Sequence, residues 1–336
     1  MGKLRETLRQ RETGILLAVL VILVGMAFHP SRGSFYGPDN LQNLLRQIAF
    51  LGIFALGEAI VIITGGIDLS VSSVIAFSGM VSAASFADAH WGFGASLGAG
   101  LAASLVVGVL HALLIGWVGI PPFVATLGTL SILRSVVQLM NNNMPIPVYG
   151  PGLDSRGFLF LEQGKLFSVA HPAGGSVAIG LPFALFVALA VAMALLMRGT
   201  SAGRNLYAVG GNEEATRLSG VSLLKTKALA YCLSSVLAGV AGILYLAYQT
   251  QGDARTGMGY ELNAIAAAVV GGCSLSGGQG TILGVVLGDC LLNLLLTAMP
   301  FVISEKSTQW EGTIVGSVVL LAVVLNTLRQ RRTDRQ

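Results

Sequence analysis

The stretch QIAFLGIFALGEAIVIITGGIDLSVSSVIAFSGM, residues 47–80, decides the fold class of this chain. It holds two apolar runs that are separated by a short turn containing Gly65 and Gly66. A helix needs about 20 apolar residues to cross a lipid bilayer. The apolar runs extend over residues 41–63 and 69–87. The stretch therefore predicts two consecutive membrane-spanning helices.

The composition of the whole chain supports a membrane protein. Of its 336 residues, 54% are hydrophobic and only 11% are charged, and the mean hydropathy is +0.75. A soluble domain carries about 25% charged residues. A soluble fold of this length could not remove so much apolar surface from water. This composition excludes a large soluble enzyme.

Ten segments are candidates for membrane crossings: 14–28, 41–63, 69–87, 93–118, 122–140, 177–197, 227–249, 261–271, 281–298 and 311–327. The segment 261–271 is short, and we interpret it as a broken or re-entrant half-helix, which is tolerated where protein surrounds it. We therefore predict an all-α fold, a polytopic helical membrane protein with about ten transmembrane segments. Residues 1–336 would form a single transmembrane domain.

The basic residues predict the orientation in the membrane. Thirteen of the 20 Lys and Arg residues lie in 1–13, 198–227 and 328–336. Basic loops stay on the cytoplasmic side during insertion. We expect these three segments, and hence both termini, to be cytoplasmic. The positive charge thus indicates topology, and no basic stripe with interleaved aromatic residues indicates a nucleic-acid partner.

The stretch GGCSLSGGQGTILG, residues 271–284, contains LSGGQ, the signature of ABC-type ATPases. A nucleotide-binding domain also needs a P-loop, G-x-x-x-x-G-K-[ST]. The two Gly-Lys pairs of the chain, at 2–3 and 164–165, are both followed by Leu, and the dipeptide Asp-Glu of a Walker B site does not occur. We predict that LSGGQ is a glycine-rich turn, and that the chain has no catalytic residues, metal site or cofactor of its own.

The polar loop 198–227 contains one short helical pattern. Asn212 suits the N-cap of a helix whose first turn holds Glu213 and Glu214, where acids complement the helix dipole. Gly220 suits the position just after its end. So short a helix is unstable in water alone. It either lies on the membrane surface or docks into a soluble motor.

Three stretches in this order resemble the permease subunits of bacterial ABC sugar importers of the ribose, xylose, arabinose, galactose and galactofuranose type. They are TGGIDLSVSSVIAFSG (64–79), GRNLYAVGGNEEATRLSGV (203–221) and ELNAIAAAVVGGCSLSGGQGTILG (261–284). The resemblance spans roughly residues 40–327. It implies a bacterial inner-membrane protein that works with a separate ABC ATPase subunit, which binds the ATP, a periplasmic substrate-binding protein and a second permease copy.

The resemblance also implies roles for individual residues. It places an ATPase-coupling function in the loop 198–226, at Gly203, Arg204, Tyr207, Gly210, Gly211, Asn212, Ala215 and Gly220. For the translocation path or the second signature we predict Glu58, Gly65, Gly66, Asp68, Ser70 and Asn263. Glu58 departs from the family pattern, which more often has Met or a neutral polar residue there. This departure leaves the identity of the sugar open.

Other polar residues inside the membrane segments have structural interpretations. Ionisable groups there are costly and are functional candidates by default. We expect Asp68 to cap a helix that begins at Leu69, and Arg134 and Asp289 to form a structural pair. The path itself is predicted to be lined by small and amide residues.

Two alternative functions remain open at this stage. The first is an ion-coupled secondary transporter that uses Glu58 or Asp289 as a proton carrier, which would need no docking helix in 198–227. The second is an ABC permease for a non-sugar solute such as a branched-chain amino acid. The sequence does not distinguish a homodimer from a heterodimer, nor does it name the solute.

Overall fold

The computed structural model describes residues 2–172, 174–303 and 307–333. Side chains are described from residue 12 to residue 324 within these ranges, apart from residue 308. All eight basic side chains of the two predicted cytoplasmic ends, 1–13 and 328–336, therefore lie outside the described side chains.

The described residues form an almost entirely helical bundle. The ten long or apolar helices are α1 (Gly2–Phe28), α3 (Pro38–Ile63), α4 (Val71–Ala87), α5 (Phe93–His111), α6 (Pro122–Met140), α8 (Leu181–Gly199), α11 (Leu223–Gln249), α12 (Tyr260–Val270), α13 (Ile282–Val302) and α14 (Ser307–Thr333). Six of these are long and apolar enough to cross a membrane, with α5 extended by a π-helical turn over Ala112–Trp117. Shorter apolar helices cover the other four predicted segments. The predicted polytopic all-α fold is confirmed.

Short elements connect these helices. They are α2 (Arg32–Phe35), α7 (Arg156–Gln163), α9 (Ser201–Gly211), α10 (Glu213–Leu218), and the strands β1 (Ile146–Pro147), β2 (Lys165–Ala170), β3 (Ser176–Gly180) and β4 (Gln251–Gly252). The strands β2 and β3 form an antiparallel hairpin, and β1 pairs antiparallel with β4.

Helix α3 lies at the centre of the bundle. Every residue from Ile48 to Ile63 is buried, because α8, α11, α12 and α13 pack around it. A helix that is apolar on all sides is suited to such a central position. Glycines allow the closest contacts: a Cβ atom at Gly57 would lie 2.8 Å from the Cα of Ser234 in α11. Small residues bring helix backbones together in this way in membrane proteins.

The crossing formed by residues 250–270 is discontinuous. Helix α11 ends at Gln249, Thr250 has a left-handed conformation with φ of 60°, and the chain then runs without helix until Tyr260. This irregular segment, 251–259, follows α4: Gly252 lies against Ala83, and Gly257 lies against Ser72. Helix α12 has 11 residues, about 16 Å at 1.5 Å per residue, or half of a bilayer core of about 30 Å. The predicted half-helix is confirmed.

Arg134 of α6 stabilises the irregular segment. Its Nη1 donates hydrogen bonds to the backbone carbonyl oxygens of Ala254, at 2.7 Å, and Thr256, at 3.0 Å. Non-helical backbone at membrane depth needs such partners, because lipid supplies none. The predicted pairing of Arg134 with Asp289 is therefore wrong. The sequence did not show that a broken crossing would provide carbonyl acceptors for this guanidinium.

Candidate functional site

One end of the bundle carries the helix pair α9–α10. The hydroxyl oxygen of Thr200 accepts a hydrogen bond from the Gly203 amide at 3.0 Å and caps α9. Asn212 Oδ1 accepts from the Ala215 amide at 2.9 Å and caps α10. Gly220, with φ of 82°, ends the turn after α10. The short capped helix was predicted, whereas α9 was missed because three glycines make a helix there appear unfavourable.

Three of the predicted coupling residues anchor α9 to the bundle. A Cβ atom at Gly203 would lie 2.4 Å from the carbonyl oxygen of Leu196, so α9 packs directly on the end of α8. Tyr207 donates a hydrogen bond from Oη to the carbonyl oxygen of Gly280 at 2.9 Å. Burial, followed by the nearby Cys273, raises the pKa of Tyr207 to about 12. Its hydroxyl therefore remains a donor at physiological pH.

Gly210, the third anchor, belongs to a cluster of four glycines that we name the glycine junction: Gly65, Gly210, Gly277 and Gly278. A Cβ atom at Gly210 would lie 1.8 Å from the carbonyl oxygen of Ile63, and one at Gly277 would lie 2.6 Å from the carbonyl oxygen of Gly210. Backbones meet here without side chains between them. The end of α3, the end of α9 and the LSGGQ turn are therefore in direct contact.

The LSGGQ motif is a turn inside this junction. The amide of Gly278 donates to the carbonyl oxygen of Ile63 at 2.8 Å, and the amide of Gly277 donates to that of Ser274 at 2.9 Å. These two amides are already satisfied by the protein's own backbone, so they are not free to hold a phosphate. The prediction of a glycine-rich turn is confirmed.

The remaining predicted coupling residues are exposed on the other face of the helix pair: Arg204, Gly211, Asn212, Ala215 and Gly220. The apolar side chain of Leu218 is 78% exposed in the same region. Arg217 forms an exposed ion pair with Glu214 at 2.7 Å. The helix pair thus has one face fixed to the bundle and one face open, and the predicted coupling set is divided between them.

The predicted signature residues of the turn after α3 form a buried polar cluster. Asp68 Oδ1 accepts from the Ser70 amide at 3.0 Å and from Ser70 Oγ at 2.5 Å, and Asp68 Oδ2 accepts from Ser234 Oγ at 2.9 Å. Glu58 Oε1 accepts from the Asp68 amide at 3.2 Å. Helix α4 begins at Val71 with Ser70 as its N-cap. The expected helix start at Leu69 is thus two residues early, because Asp68 fixes the preceding turn.

The two glycines of this turn, Gly65 and Gly66, are required for different structural reasons. Gly65 has a φ of 83°, which side chains rarely adopt. Gly66 is limited by space, since a Cβ atom there would lie 2.3 Å from the hydroxyl oxygen of Tyr231. The turn is therefore packed tightly between α3 and α11, and it forms part of the bundle wall.

A cavity of about 460 Å³ opens at the opposite end of the bundle from the α9–α10 pair. Its lining includes four amide residues, Asn43, Gln47, Asn263 and Asn293, and five aromatic residues, Phe50, Phe54, Tyr245, Tyr248 and Tyr260. Of the six residues predicted for the path or signature, Asn263 is among the described lining residues, and the other five lie in or beside the buried turn. The structure therefore does not bring Asn263 together with the other five residues predicted for the path or signature.

The aromatic residues form one continuous cluster in this cavity. The ring centroids of Phe50 and Tyr245 are 4.6 Å apart, those of Tyr245 and Tyr260 are 5.4 Å apart, and the rings of Phe54 and Tyr260 are stacked at 6.0 Å. The predicted lining of the path by small and amide residues stays a prediction; this cavity has the amides, and aromatic residues as well. The aromatic residues of α3 and of α11 are three or four positions apart in the sequence. This spacing indicates a shared aromatic cluster only once both helices are known to face the same cavity.

The charge at this cavity is largely compensated. The Arg46 guanidinium lies 4.6 Å from the centroid of the Tyr248 ring and 3.7 Å from a carboxylate oxygen of Glu162. Glu311 is the other ionisable acid or base in the described lining. The cavity therefore offers mostly neutral hydrogen-bonding groups and aromatic surfaces.

Comparison with known proteins identifies the class of the chain. A family model described as "Branched-chain amino acid transport system / permease component" matches residues 40–324. The chain is 33% identical to the ribose import permease protein RbsC of Escherichia coli strain K12, over 96% of this chain and 95% of that protein. It is 34% identical to the RbsC protein of Bacillus subtilis strain 168, over 92% and 90%.

A further relative is the xylose transport system permease protein XylH of Haemophilus influenzae, which is 29% identical over 95% of this chain and 97% of its own length. The family match includes the α9–α10 pair and all of the described cavity lining. The chain belongs to this family of transport-system permease components, and it is a multi-pass membrane transport subunit rather than an enzyme.

Proposed function

We propose that the chain is the translocating subunit of an ATP-driven importer for a monosaccharide. The observation that carries this proposal is the two-faced helix pair α9–α10, which is anchored through Gly203, Tyr207 and Gly210 and is open on its other side. A short helix such as α10 gains stability from a packing partner. A cytoplasmic ATPase docked on the open face supplies one, and it binds and hydrolyses the ATP that this chain does not bind.

The direction of transport follows from this arrangement. The α9–α10 end faces the cytoplasm together with both termini, in agreement with the basic residues of these segments. The cavity at the opposite end then faces the periplasm, where a substrate-binding protein delivers the solute. A second permease copy, identical or similar, completes the translocation path in the inner membrane.

The cavity favours a sugar over an amino acid. An amino acid carries two charges that each need a partner when they leave water, and Arg46 is already paired with Glu162. A sugar offers hydroxyl groups and apolar C–H faces, which match the amides and aromatic rings of the lining. The named ribose and xylose permeases agree with this preference, although the family description refers to branched-chain amino acids.

An ion-coupled mechanism receives no support from these observations. Glu58 and Asp289, its proposed proton carriers, are both fully buried, and neither is among the described residues that line the cavity. The relatives are permease proteins of import systems, and their names mention no ion.

The proposal is tested with the cognate binding protein and ATPase. Thermal-shift screening of the binding protein against pentoses, hexoses and branched-chain amino acids identifies the solute. Proteoliposomes that contain all three components should then take up a radiolabelled sugar only with ATP on the ATPase side. Uptake driven by an ion gradient without ATP would establish the secondary transporter, and uptake of leucine but no sugar would establish the amino acid permease.

Orientation is tested separately in intact cells. In a background with Cys232, Cys273 and Cys290 replaced, single cysteines are placed at Ser201 in α9 and at Ser168 in β2, both of which are exposed. An impermeant thiol reagent should label Ser168→Cys and not Ser201→Cys. The reverse pattern would overturn the proposed topology.

A further inference from the structure

Asn293 has a fixed orientation at the cavity. Its Nδ2 donates hydrogen bonds to the backbone carbonyl oxygen of Asp289 at 3.1 Å and to Asp289 Oδ1 at 2.8 Å. A backbone carbonyl can only accept. The nitrogen of the amide must therefore face Asp289, whatever the protonation state of that carboxyl group. The amide oxygen, Oδ1, is left for another partner.

Asp289 is enclosed by neighbouring helices. It is fully buried, and a Cβ atom at Gly52 would lie 2.8 Å from Asp289 Oδ2 and 2.3 Å from the ring of Phe186. The carboxyl group thus lies between α3 and α8. Its Oδ1 is bonded to the Asn293 amide, and its Oδ2 has no hydrogen-bond partner among the described residues.

The free oxygen of Asn293 borders the cavity. Asn293 belongs to the cavity lining, and Oδ1 is not among the buried side-chain atoms that lack a partner. Asn293 is mostly buried, with 4% of its surface exposed, and Oδ1 accepts no hydrogen bond that the structure describes. The oxygen therefore meets the cavity only at its edge. This position therefore presents an acceptor, and it does not present a donor.

We propose that Asn293 is a specificity contact for the transported solute, that its Oδ1 accepts a hydrogen bond from one particular hydroxyl group, and that Asp289 is its positioning residue. This inference rests on the proposed function, and it specifies that the cavity selects a solute with a hydroxyl group at one position. A hydroxyl hydrogen fits the acceptor. A carbonyl oxygen, a fluorine or a phosphate oxygen at the same position meets an oxygen instead and is disfavoured.

The test compares sugars in proteoliposomes with the ATPase and the binding protein. Radiolabelled D-ribose, D-xylose and D-galactose are tried first, followed by the series of monodeoxy derivatives of the sugar that is taken up. The measured quantity is the ratio of uptake rates for the parent sugar and each derivative, at limiting concentration. Because the same binding protein is used throughout, its own preference cancels when a variant is compared with the unmodified permease.

Between the unmodified permease and Asn293→Leu, the uptake ratio for one derivative should change by about five- to tenfold, which is the size of one hydrogen bond. The ratios for the other derivatives should be unchanged by this substitution. Asp289→Asn retains an acceptor for Asn293 and should keep the discrimination, whereas Asp289→Leu should reduce it. Gln138→Leu, at an exposed amide of α6 away from the cavity, is the matched control and should change no ratio.

Several results would overturn the inference. If Asn293→Leu transports the sugar with every uptake ratio unchanged, Asn293 does not bind a hydroxyl group of the sugar. ATP-driven sugar uptake in that experiment would still support the proposed function. A uniform loss of discrimination over all derivatives would indicate a structural role instead. Asn293→Ala serves if Asn293→Leu does not elute as a single folded species in detergent. Failure of the unmodified permease to import any sugar would instead refute the proposed function.

Discussion

The amide of Gly278 donates a 2.8 Å hydrogen bond to the carbonyl oxygen of Ile63, and this bond ties the LSGGQ turn to the last turn of α3. Gly210 of α9 lies against the same carbonyl group. Helix α12 leads into this turn, and both α3 and α12 contribute residues to the cavity at the other end. Backbone contacts therefore connect α9 to two helices that line the cavity.

The first prediction compares two neighbouring glycines. Gly210→Ala places a methyl group where only 1.8 Å separates it from the carbonyl oxygen of Ile63, whereas the Cβ position at Gly211 is free within 4 Å. We expect Gly210→Ala to destabilise the protein by about 1–3 kcal/mol and to abolish uptake. Gly211→Ala should melt almost normally. Equal thermal melting of the two variants would contradict the glycine junction.

The second prediction concerns the open face of the helix pair. Ala215 is exposed in α10, so Ala215→Arg should leave folding and insertion intact. A docked ATPase would meet a larger side chain and an unpaired buried charge, at a cost of several kcal/mol. We expect loss of ATPase co-purification and of uptake. Ala89→Arg, at an exposed position on the other side of the membrane, should do neither, and normal assembly of Ala215→Arg would mean that α10 is only a surface helix.

The third prediction concerns Tyr207. Tyr207→Phe removes the hydrogen bond to Gly280, with an expected loss of about 1 kcal/mol and weaker coupling of ATP hydrolysis to uptake. The folded state raises the pKa of this hydroxyl to about 12. Its stabilising contribution is therefore complete below the ordinary tyrosine pKa of about 10 and is lost as pH rises through the folded value. The difference in melting temperature between the two proteins should be constant from about pH 6 to about pH 9, and a marked change in that range would contradict this assignment.

The fourth prediction concerns ATP. Because the amides of Gly277 and Gly278 are bonded within the protein, the purified chain should not hydrolyse ATP. Gln279→Ala should leave the nucleotide affinity of the partner ATPase unchanged. Phosphate release is measured with and without the partner subunit. Turnover by the isolated chain, after removal of contaminating ATPases, would refute the interpretation of LSGGQ as a turn.

The fifth prediction concerns the irregular segment 251–259. Arg134→Leu leaves the carbonyl oxygens of Ala254 and Thr256 without their donor, and each buried unsatisfied group costs about 1–3 kcal/mol. We expect a lower melting temperature and reduced uptake. Arg32→Leu, at an exposed arginine, is the matched control. Equal melting of the two variants would show that water or another group replaces the guanidinium.

The sequence was informative where a single segment contains its own signal. Apolar length alone predicts the ten apolar helices, and the side chain of Asn212 together with the freedom of Gly220 predicts the start and end of α10. Both are local properties of the chain. The same holds for the half-helix 261–271, whose shortness is visible without any partner.

The sequence was uninformative where segments distant in the chain meet. The cavity combines Phe50, Tyr245, Tyr260 and Asn293 from four helices, and no spacing relates them. The sequence suggests a pair of Arg134 and Asp289 because both are ionisable and lie within or at the ends of membrane segments, yet their actual partners are carbonyl groups of a broken crossing and a neighbouring amide. The sequence gives no reason to distinguish Gly210 from its neighbour Gly211. Only the packing of α9 on Ile63 shows that Gly210 has no space for a side chain and that Gly211 does.

The broken crossing also constrains how the protein is made. Helix α12 is too short to be recognised by the translocation machinery as a complete membrane segment, and the preceding residues 251–259 expose backbone groups that lipid cannot satisfy. Their donors and packing surfaces belong to α4 and α6, which precede them in the chain. During synthesis, residues 250–270 must therefore enter the membrane against helices that are already assembled. A truncated chain that lacks α4 or α6 should therefore fail to hold residues 250–270 in the membrane.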